Sequence, residues 1–496
     1  MIAFGTAGLR GPMCEGPDAM NVTTVARATW AVAKVLNDRG LGGSSVIVGR
    51  DARHHSDEFA TTTAEVLAAE GFTVTLLPDP APTPVLAFAV RQRNAAAGIQ
   101  ITASHNPAGD NGYKVYFDGG IQIVPPADRD IEQAMRQAPV EIHRAPTTPA
   151  DTELIERYAG HTAMLRTTTG NVRVALTAMH GVGGALTVDI LQRAGITDIH
   201  TVAEQFEPDP NFPTAPFPNP EEPGATDLLL ALAAKNTAEV AIALDPDADR
   251  CAVGIPTAAG WRMLSGNETG WLLGDHLLSR LTPERAETTV VASSIVSSQL
   301  LKKIAEHHGA HHVETLTGFK WLARADAEIP GTTLRYAYEE AIGHCVDPQT
   351  VRDKDGISAA VIVCDLVVSL RNRGITVQDK LDELARRYGV HLTDAVSVVT
   401  DAGPVMARLR AQPPTQLADI PVTTDDLLPR TDALMFTGPG LRVAVRPSGT
   451  EPKIKCYIEI STSPSDDLTG ARSSAEAILR AVKAAATGLL AERTTT

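Results

Sequence analysis

Ala238-Glu239-Val240-Ala241-Ile242-Ala243-Leu244 runs straight into Asp245-Pro246-Asp247-Ala248-Asp249-Arg250. A short apolar run closed by a turn reads as a buried strand. The loop it delivers carries acid at every second position, and in extended chain those three carboxylates share one face. Three such groups repel one another unless a cation sits among them, and an all-oxygen donor set suits Mg2+. An EF-hand calcium loop also opens with alternating Asp, but it needs Gly at its sixth position and Glu at its twelfth. Here those positions hold Arg250 and Pro256. An acidic turn without metal is the simpler reading, and the apolar strand leading into it argues against that. Arg250 would then flank the metal as a fork for phosphate.

The same pattern of a strand tipped by a polar loop recurs on both sides. Upstream, Ser45–Val48 and Phe72–Leu77 read as strands around the amphipathic stretch Ser56–Ala69, and Ala97–Thr102 runs into Ser104-His105-Asn106-Pro107. Around the opening stretch, Val172–Thr177, a helix over Gly183–Gly195 and a strand over Ile199–Glu204 precede the acidic loop. Downstream come Thr289–Ser293, a helix over Ser297–His308, His312–Leu316 ending at Thr317-Gly318-Phe319-Lys320-Trp321, and Thr333–Tyr338 ending at Glu339-Glu340-Ala341-Ile342-Gly343-His344. Strands alternating with helices predict parallel sheets. Ligands of such sheets bind beyond the carboxyl ends of the strands, so three tipped units predict one composite site. The last part differs: strands at Leu441–Val445 and Ile454–Ser461 flank Arg446–Lys453, and a helix follows from about Asp467 to Leu490. It reads as α+β. Polar, Pro- and Thr-rich stretches divide the chain into 1–150, 151–265, 266–388 and 389–496. The Pro-rich run Glu207–Pro223 reads as a surface excursion without a motif.

Composition agrees. The 496 residues exceed a single domain at roughly 100–200 residues each, and 43% hydrophobic with 21% charged residues suits packed cores rather than disorder. Aromatics at 4% favour small-side-chain α/β layers. With 44 basic and 59 acidic residues the net charge is −15, which opposes nucleic-acid binding at long range. An anionic ligand therefore needs positive groups gathered locally. The five scattered cysteines form no CxxC pair and fit a reducing compartment. No stretch reaches the roughly 18 apolar residues of a membrane span, and the N-terminus lacks a signal-peptide pattern, so the expectation is a cytoplasmic protein off the membrane. The sequence carries no signal for oligomeric state.

The remaining motifs supply positive charge and hydroxyls. Ser104 lies just past a buried strand in a turn set by Asn106 and Pro107, beside His105. Asp110–Lys114 aims Lys114 back towards the same loop. Arg446-Pro447-Ser448-Gly449-Thr450-Glu451-Pro452-Lys453 has small residues and flanking cations that suit an anion cradle. A plain hairpin turn would look the same. Phe4–Gly11 is Gly-rich without Rossmann or P-loop spacing, and it offers Arg10 as a fork. Glu340 and His344 end a strand where they suit sugar hydroxyls, and Lys354 in Asp353-Lys354-Asp355-Gly356 precedes an apolar helix over Ile357–Leu370. His307-His308-Gly309-Ala310-His311-His312 tempts a zinc reading, but Gly309 breaks the helix and no further ligand completes a set.

Taken in order, Thr102–Pro107, Asp245–Arg250, Thr317–Trp321, Glu339–His344 and Arg446–Lys453 resemble the α-D-phosphohexomutase superfamily from Phe4 to Ile460. Phe4–Arg10, Asp110–Tyr116 and Asp353–Gly356 look most like its branch with phosphoglucomutase-2, phosphopentomutases and bacterial phosphomannomutases. The resemblance implies four domains around a central cleft: three related α/β units with mixed sheets and a last α+β domain. It implies a phosphoserine at Ser104, and Mg2+ on Asp245, Asp247 and Asp249 with the serine phosphate as a further ligand. It implies a phosphosugar substrate, and a sugar bisphosphate as intermediate and activator. Arg446, Ser448, Gly449 and Thr450 would grip the unreacting phosphate, Glu340 the sugar, and Lys320 would help to distinguish sugars. Arg10, His105, Lys114 and Lys354 match positions for phosphate contact or proton transfer.

One departure bears on substrate: Ile342 stands where many relatives have a serine that contacts sugar. A site short of a hydroxyl accepts another epimer or a pentose more readily. The leading expectation is a mutase of hexose 1- and 6-phosphates, mannose or glucose; the alternatives are a phosphopentomutase, a metal-dependent sugar phosphatase and a non-catalytic sugar-phosphate sensor.

Overall fold

The computed structural model describes residues 2–5, 8–117, 119–150, 153–448 and 453–491. Three of its sheets repeat one plan. In the first, Ser45–Arg50 lies between Thr73–Leu76 and Ala97–Ile101, parallel to both, and Asp110–Phe117 returns antiparallel on Ala97–Ile101. In the second, Val174–Thr177 lies parallel between Ile199–Thr201 and Val240–Leu244, and Cys251–Thr257 returns antiparallel. In the third, Thr289–Ser294 lies parallel between His311–Thr315 and Thr333–Glu339, and Gly343–Cys345 returns. Helices such as Ser56–Ala69, Gly184–Arg193 and Leu300–His307 supply the crossovers that parallel neighbours require. Each of the three polar motifs therefore occupies the same turn, the one joining the third strand to its antiparallel return.

Each of those turns holds one non-glycine residue in left-handed backbone: Ser104 at φ 53°, Ala248 at 54° and Ile342 at 54°. That conformation costs about 1–2 kcal/mol for an L-residue. For a β-branched isoleucine it is especially uncommon.

The first three units share a continuous core. Leu86 and Val90, Leu176 and Ile242, and Leu273 and Ile357 belong to one buried cluster. The helix Gly356–Asn372 runs through it. Asp355 caps that helix, its carboxylate accepting from the amides of Ile357 and Ser358 at 3.1 and 3.0 Å. Glycine is required at its first residue, because a Cβ on Gly356 would strike the carbonyl oxygens of Arg250 and Ala248. The helix start is thus pressed against the acidic loop.

The last domain is an antiparallel sheet in the order His391–Val399, Lys453–Ser461, Leu441–Pro447, Leu434–Gly438, Thr423–Asp426, with the helix Leu468–Leu490 packed on it. It has its own core and meets the third unit through a small patch joining Ile295 and Val296 to Leu427, Met435 and Ala444. The expected class, three α/β units and an α+β domain, is the one observed. Several elements are shorter than the periodicity predicts, two of them for a visible reason. The strand from Ile199 stops at Thr201 because the chain turns over Ala203–Gln205 to place Gln205 Oε1 2.6 Å from the Thr177 hydroxyl. The helix expected from Ser297 starts at Leu300, since Ser294 and Ser297 turn their hydroxyls to Glu340 instead.

Candidate active site

The Ser104 turn follows a strand, Ala97–Ile101, that is buried throughout. Arg53 holds the turn. Its guanidinium donates to the carbonyls of Ser104 (2.7 Å), Asn106 (2.5 Å), Pro107 (2.8 Å) and Asp110 (3.1 Å). Asp51 lies 3.3 Å from Arg53 Nε, and the guanidinium stacks 4.9 Å over Phe212. Four satisfied carbonyls explain how a left-handed serine persists there. The Ser104 amide donates to Thr102 Oγ1, and its hydroxyl donates to Asp245 Oδ2 at 2.7 Å and lies 3.1 Å from His105 Nδ1.

Asp245, Asp247 and Asp249 are buried, with ligand atoms within 4.8 Å of one another. Lys114 Nζ donates to Asp247 Oδ2 (2.6 Å) and Asp249 Oδ2 (2.8 Å), and Lys354 Nζ lies 3.3 Å from the latter. Burial and Asp249 push Asp247 up, but Lys114 and Thr83 hold it below the usual carboxylate range. Burial likewise opposes the charge of Asp249, and Lys114, Lys354 and Arg250 outweigh it. Asp245 goes the other way, raised well above that range by burial and by its two acidic neighbours. Among the described residues, Asp247 Oδ1 and Asp249 Oδ1 are buried without a hydrogen-bond partner. Such orphaned anionic oxygens call for an explanation, and a hard divalent cation supplies one: the donor set fits Mg2+.

Positive groups surround this cluster. Burial lowers the Arg10 pKa, and Arg10 lies within electrostatic reach of Asp247, Arg250 and Asp249; its Nη1 donates to Asn106 Oδ1 at 3.4 Å. Arg250 Nε is 3.9 Å from both Asp245 and Asp249. Its backbone bridges to Gly343, and the Cys251 amide donates to the Ile342 carbonyl, which joins the second and third turns. Lys354 is fixed by its neighbours: Asp353 accepts from Tyr116 Oη and Gln122 Nε2, both at 2.7 Å, and Asp355 accepts from Tyr158 Oη at 2.8 Å. Burial disfavours the Lys354 charge, but Asp249, Asp353 and Glu339 raise its pKa above the ordinary lysine value. His105 is driven well below 6.5 by burial and by Arg250 and Arg10, so its ring is neutral at pH 7.

Glu340 accepts from Ser294 and Ser297 at 3.0 and 2.9 Å and lines a cavity of about 620 Å3 between the second, third and fourth units. Arg446 and Glu340 both act electrostatically on the Tyr457 hydroxyl in that wall. The amide of Ser448 donates to the Lys453 carbonyl at 2.8 Å; Gly449 and Thr450 lie outside the described residues. Two other expected residues sit apart from the carboxylates. Lys320 is on the short helix Phe319–Leu322, where burial lowers its pKa and Asp128 and Arg324 are its charged neighbours. His344 lies beside Tyr336 and Tyr338, the three near-parallel rings within 6.4 Å of one another, with its Nδ1 3.0 Å from Tyr336 Oη; burial pulls it down to about 3. The histidines at 307–312 take separate hydrogen-bond partners, His308 meeting Asp275, His311 the Glu287 carbonyl, His312 Ser293 and His307 Arg387, while the His307 and His308 rings touch edge to face at 5.2 Å.

Several residues here escape a sequence reading. Arg53 follows the first buried strand in Arg50-Asp51-Ala52-Arg53, a charged pair whose place after a strand end was its only signal. Thr83 opens the helix Thr83–Gln92 as an ordinary Thr-Pro helix start, yet donates to Asp247. Glu221 corrects the view of the Pro-rich run as a motif-free excursion: it returns to 3.6 Å from Arg250 and lines the cavity beside Glu340.

Family models described as phosphoglucomutase/phosphomannomutase match the chain in order: the α/β/α domains I, II and III over residues 1–140, 155–258 and 265–388, and the C-terminal domain over 375–467. The Haemophilus influenzae protein named probable phosphomannomutase is 40% identical over 463 residues, covering 89% of this chain and 93% of its own. The human phosphopentomutase is 34% identical, covering 93% and 85%, and a Staphylococcus aureus phosphoglucomutase is 31% identical, covering 94% and 91%. A solved phosphoglucomutase/phosphomannomutase family protein of Burkholderia thailandensis shares the fold at a TM-score of 0.74, with 21% identity over 98% of this chain and 99% of that one. Among the described residues no helix is long and apolar enough to cross a membrane. With its four domains matched in sequence order and relatives of this similarity along most of its length, the chain belongs to the phosphoglucomutase/phosphomannomutase family of the α-D-phosphohexomutase superfamily and is a phosphosugar mutase.

Proposed function

We propose that this mutase interconverts the 1- and 6-phosphates of a hexose, mannose or glucose, by passing a phosphoryl group through Ser104. The observation that carries the reading is the Ser104 hydroxyl 2.7 Å from one carboxylate of a buried trio that keeps two oxygens unpartnered. Asp245, Asp247 and Asp249 would hold Mg2+, which when bound neutralises the trio and stabilises charge on the transferring group. In the forward step the bond from phosphorus to Ser104 Oγ breaks and one to a sugar hydroxyl forms. His105, kept neutral, takes the hydroxyl proton, and Lys114 and Lys354, both kept protonated, favour the anionic site. Arg10 and Arg250 offer guanidinium groups to phosphate. The bisphosphate then reorients, and the second phosphoryl group returns to Ser104.

Reorientation requires contacts that serve both ends of the sugar. Glu340 would hold hydroxyls, and the loop from Arg446 to Lys453, with Ser448, Gly449 and Thr450, would grip the phosphate that is not reacting. Lys320 and His344 would shape the sugar loops. The division at 1–150, 151–265, 266–388 and 389–496 goes with it. The five unpaired cysteines, four of them buried, support a reducing, cytoplasmic setting.

A pentose is the second reading, favoured by Ile342. That residue is buried and packs against Met179, Ala243 and Ala252, so the sugar loop presents an apolar side chain where a hydroxyl would stand. A relative named phosphopentomutase is consistent with it. Purified protein assayed with mannose, glucose, ribose and deoxyribose 1-phosphates and a bisphosphate activator decides. The highest kcat/KM on a hexose supports the first reading, and on a pentose the second. Hydrolysis that survives Ser104→Ala would indicate a phosphatase instead.

A further inference from the structure

Thr83 is fully buried at the first turn of the helix Thr83–Gln92, on the Ser104 side of the seam between the first two units. Its hydroxyl donates to Asp247 Oδ2 at 2.5 Å and its amide to the Asp247 carbonyl at 3.0 Å. Lys114 Nζ donates to the same Oδ2. One carboxylate oxygen thus receives two donors, the plane of the carboxylate is fixed, and Oδ1 is left buried and unpartnered among the described residues. The segment behind Thr83 is tied to the strand that carries Ser104. Gln100 Nε2 donates to the Ala81 carbonyl at 2.8 Å, and the Ala81 amide donates to the carbonyl of Arg50 on the adjacent strand.

We propose that Thr83 is a positioning residue: it orients Asp247 so that a single oxygen faces the cation, and it sets the acidic loop in register with Ser104. The proposal rests on the reading of the aspartate trio as a metal site. Residues that hold a ligand's orientation from behind govern metal affinity strongly, with losses of about 10–100-fold on substitution. Thr83→Val keeps the shape and the amide bond and deletes only the hydroxyl. Thr83→Ser keeps the hydroxyl.

The test is Mn2+ binding to the chelator-stripped, full-length protein, followed by electron paramagnetic resonance, with thermal unfolding in chelator run alongside. Thr83→Val is expected to bind Mn2+ about 10–100-fold more weakly than wild type, with Thr83→Ser within a few-fold of it. In steady-state assays the Mg2+ concentration for half-maximal rate should rise more than kcat falls. Wild-type affinity in a folded Thr83→Val would overturn the proposal, as would a Thr83→Ser as weak as Thr83→Val. If Thr83→Val does not fold, Thr83→Ala replaces it with the same expectations. A wild-type protein that binds no Mn2+ would instead overturn the metal reading beneath the proposal.

Discussion

Two of the seams that bury carboxylates between domains in this molecule treat them in opposite ways. At the seam of the third and fourth domains, Glu459 accepts from Ser298 Oγ (2.5 Å), from the Gln299 amide at both oxygens (3.0 and 3.1 Å) and from His391 Nδ1 (2.7 Å). His391 is itself met at Nε2 by Lys303. Both Glu459 oxygens and both His391 ring nitrogens there have partners. At the seam of the first and second domains, three carboxylates crowd together, two oxygens lack partners, and the adjoining turns hold Ser104 and Ala248 in left-handed backbone. A satisfied buried carboxylate fastens two domains; an unsatisfied and strained cluster stores binding capacity for something else.

Substitutions should separate these two behaviours. The largest effect is expected at Ser104: Ser104→Ala should lower mutase turnover by about 10^4-fold or more while the protein still unfolds cooperatively in a thermal scan. Next, Asp249→Asn should weaken Mn2+ binding by at least about 100-fold in the same titration that reads Thr83, because it removes charge from the donor set itself. Stability should respond the other way round. Glu459→Gln leaves mismatched donors at a buried site and should cost about 1–3 kcal/mol in urea unfolding, whereas Asp245→Asn, measured in chelator, should cost nothing or stabilise.

Dependence on pH sharpens the contrast. Burial opposes the Glu459 charge, but His391, Ser298 and Gln299 lower its pKa, so its contribution is present above the ordinary glutamate value near ~4.3 and is lost as pH falls through the lower folded value. Asp245 is raised by burial and by Asp247 and Asp249, so the folded state binds its proton first, and stability rises as pH falls through the raised value towards ~3.9. In chelator, the difference in unfolding free energy between wild type and Asp245→Asn should therefore shift in favour of wild type as pH falls through the raised value towards ~3.9. The smallest effect is expected from Ile342→Ser, which should change the ratio of hexose to pentose kcat/KM by about tenfold.

Much of this was legible in the chain. The three tipped strands are visible because a buried strand writes itself as an unbroken apolar run, as Val240–Leu244 does, and because the chemistry follows at once in sequence. Their shared position in three copies of one unit also predicted that the loops would meet. What stayed hidden depends on contacts between distant segments. Arg53 and Thr83 look like a loop arginine and a helix start until the fold carries them to the Ser104 turn and to Asp247. Glu221 sits in a Pro-rich run with no periodicity, and only the folded contacts, Phe212 beneath Arg53 and Glu221 near Arg250, show that the run doubles back. His344 illustrates the converse: an imidazole at a strand end can be read as a ligand to sugar, and the fold buries it beside two tyrosines.

The central claim, a phosphoryl group carried on Ser104, is tested most directly by intact-mass and peptide-fragmentation analysis of the full-length protein after incubation with glucose 1,6-bisphosphate and Mg2+. One added phosphoryl group located on Ser104, and absent from Ser104→Ala, is the predicted result. Sustained mutase turnover with no phosphoryl group on Ser104, or with the group on another residue, would contradict it.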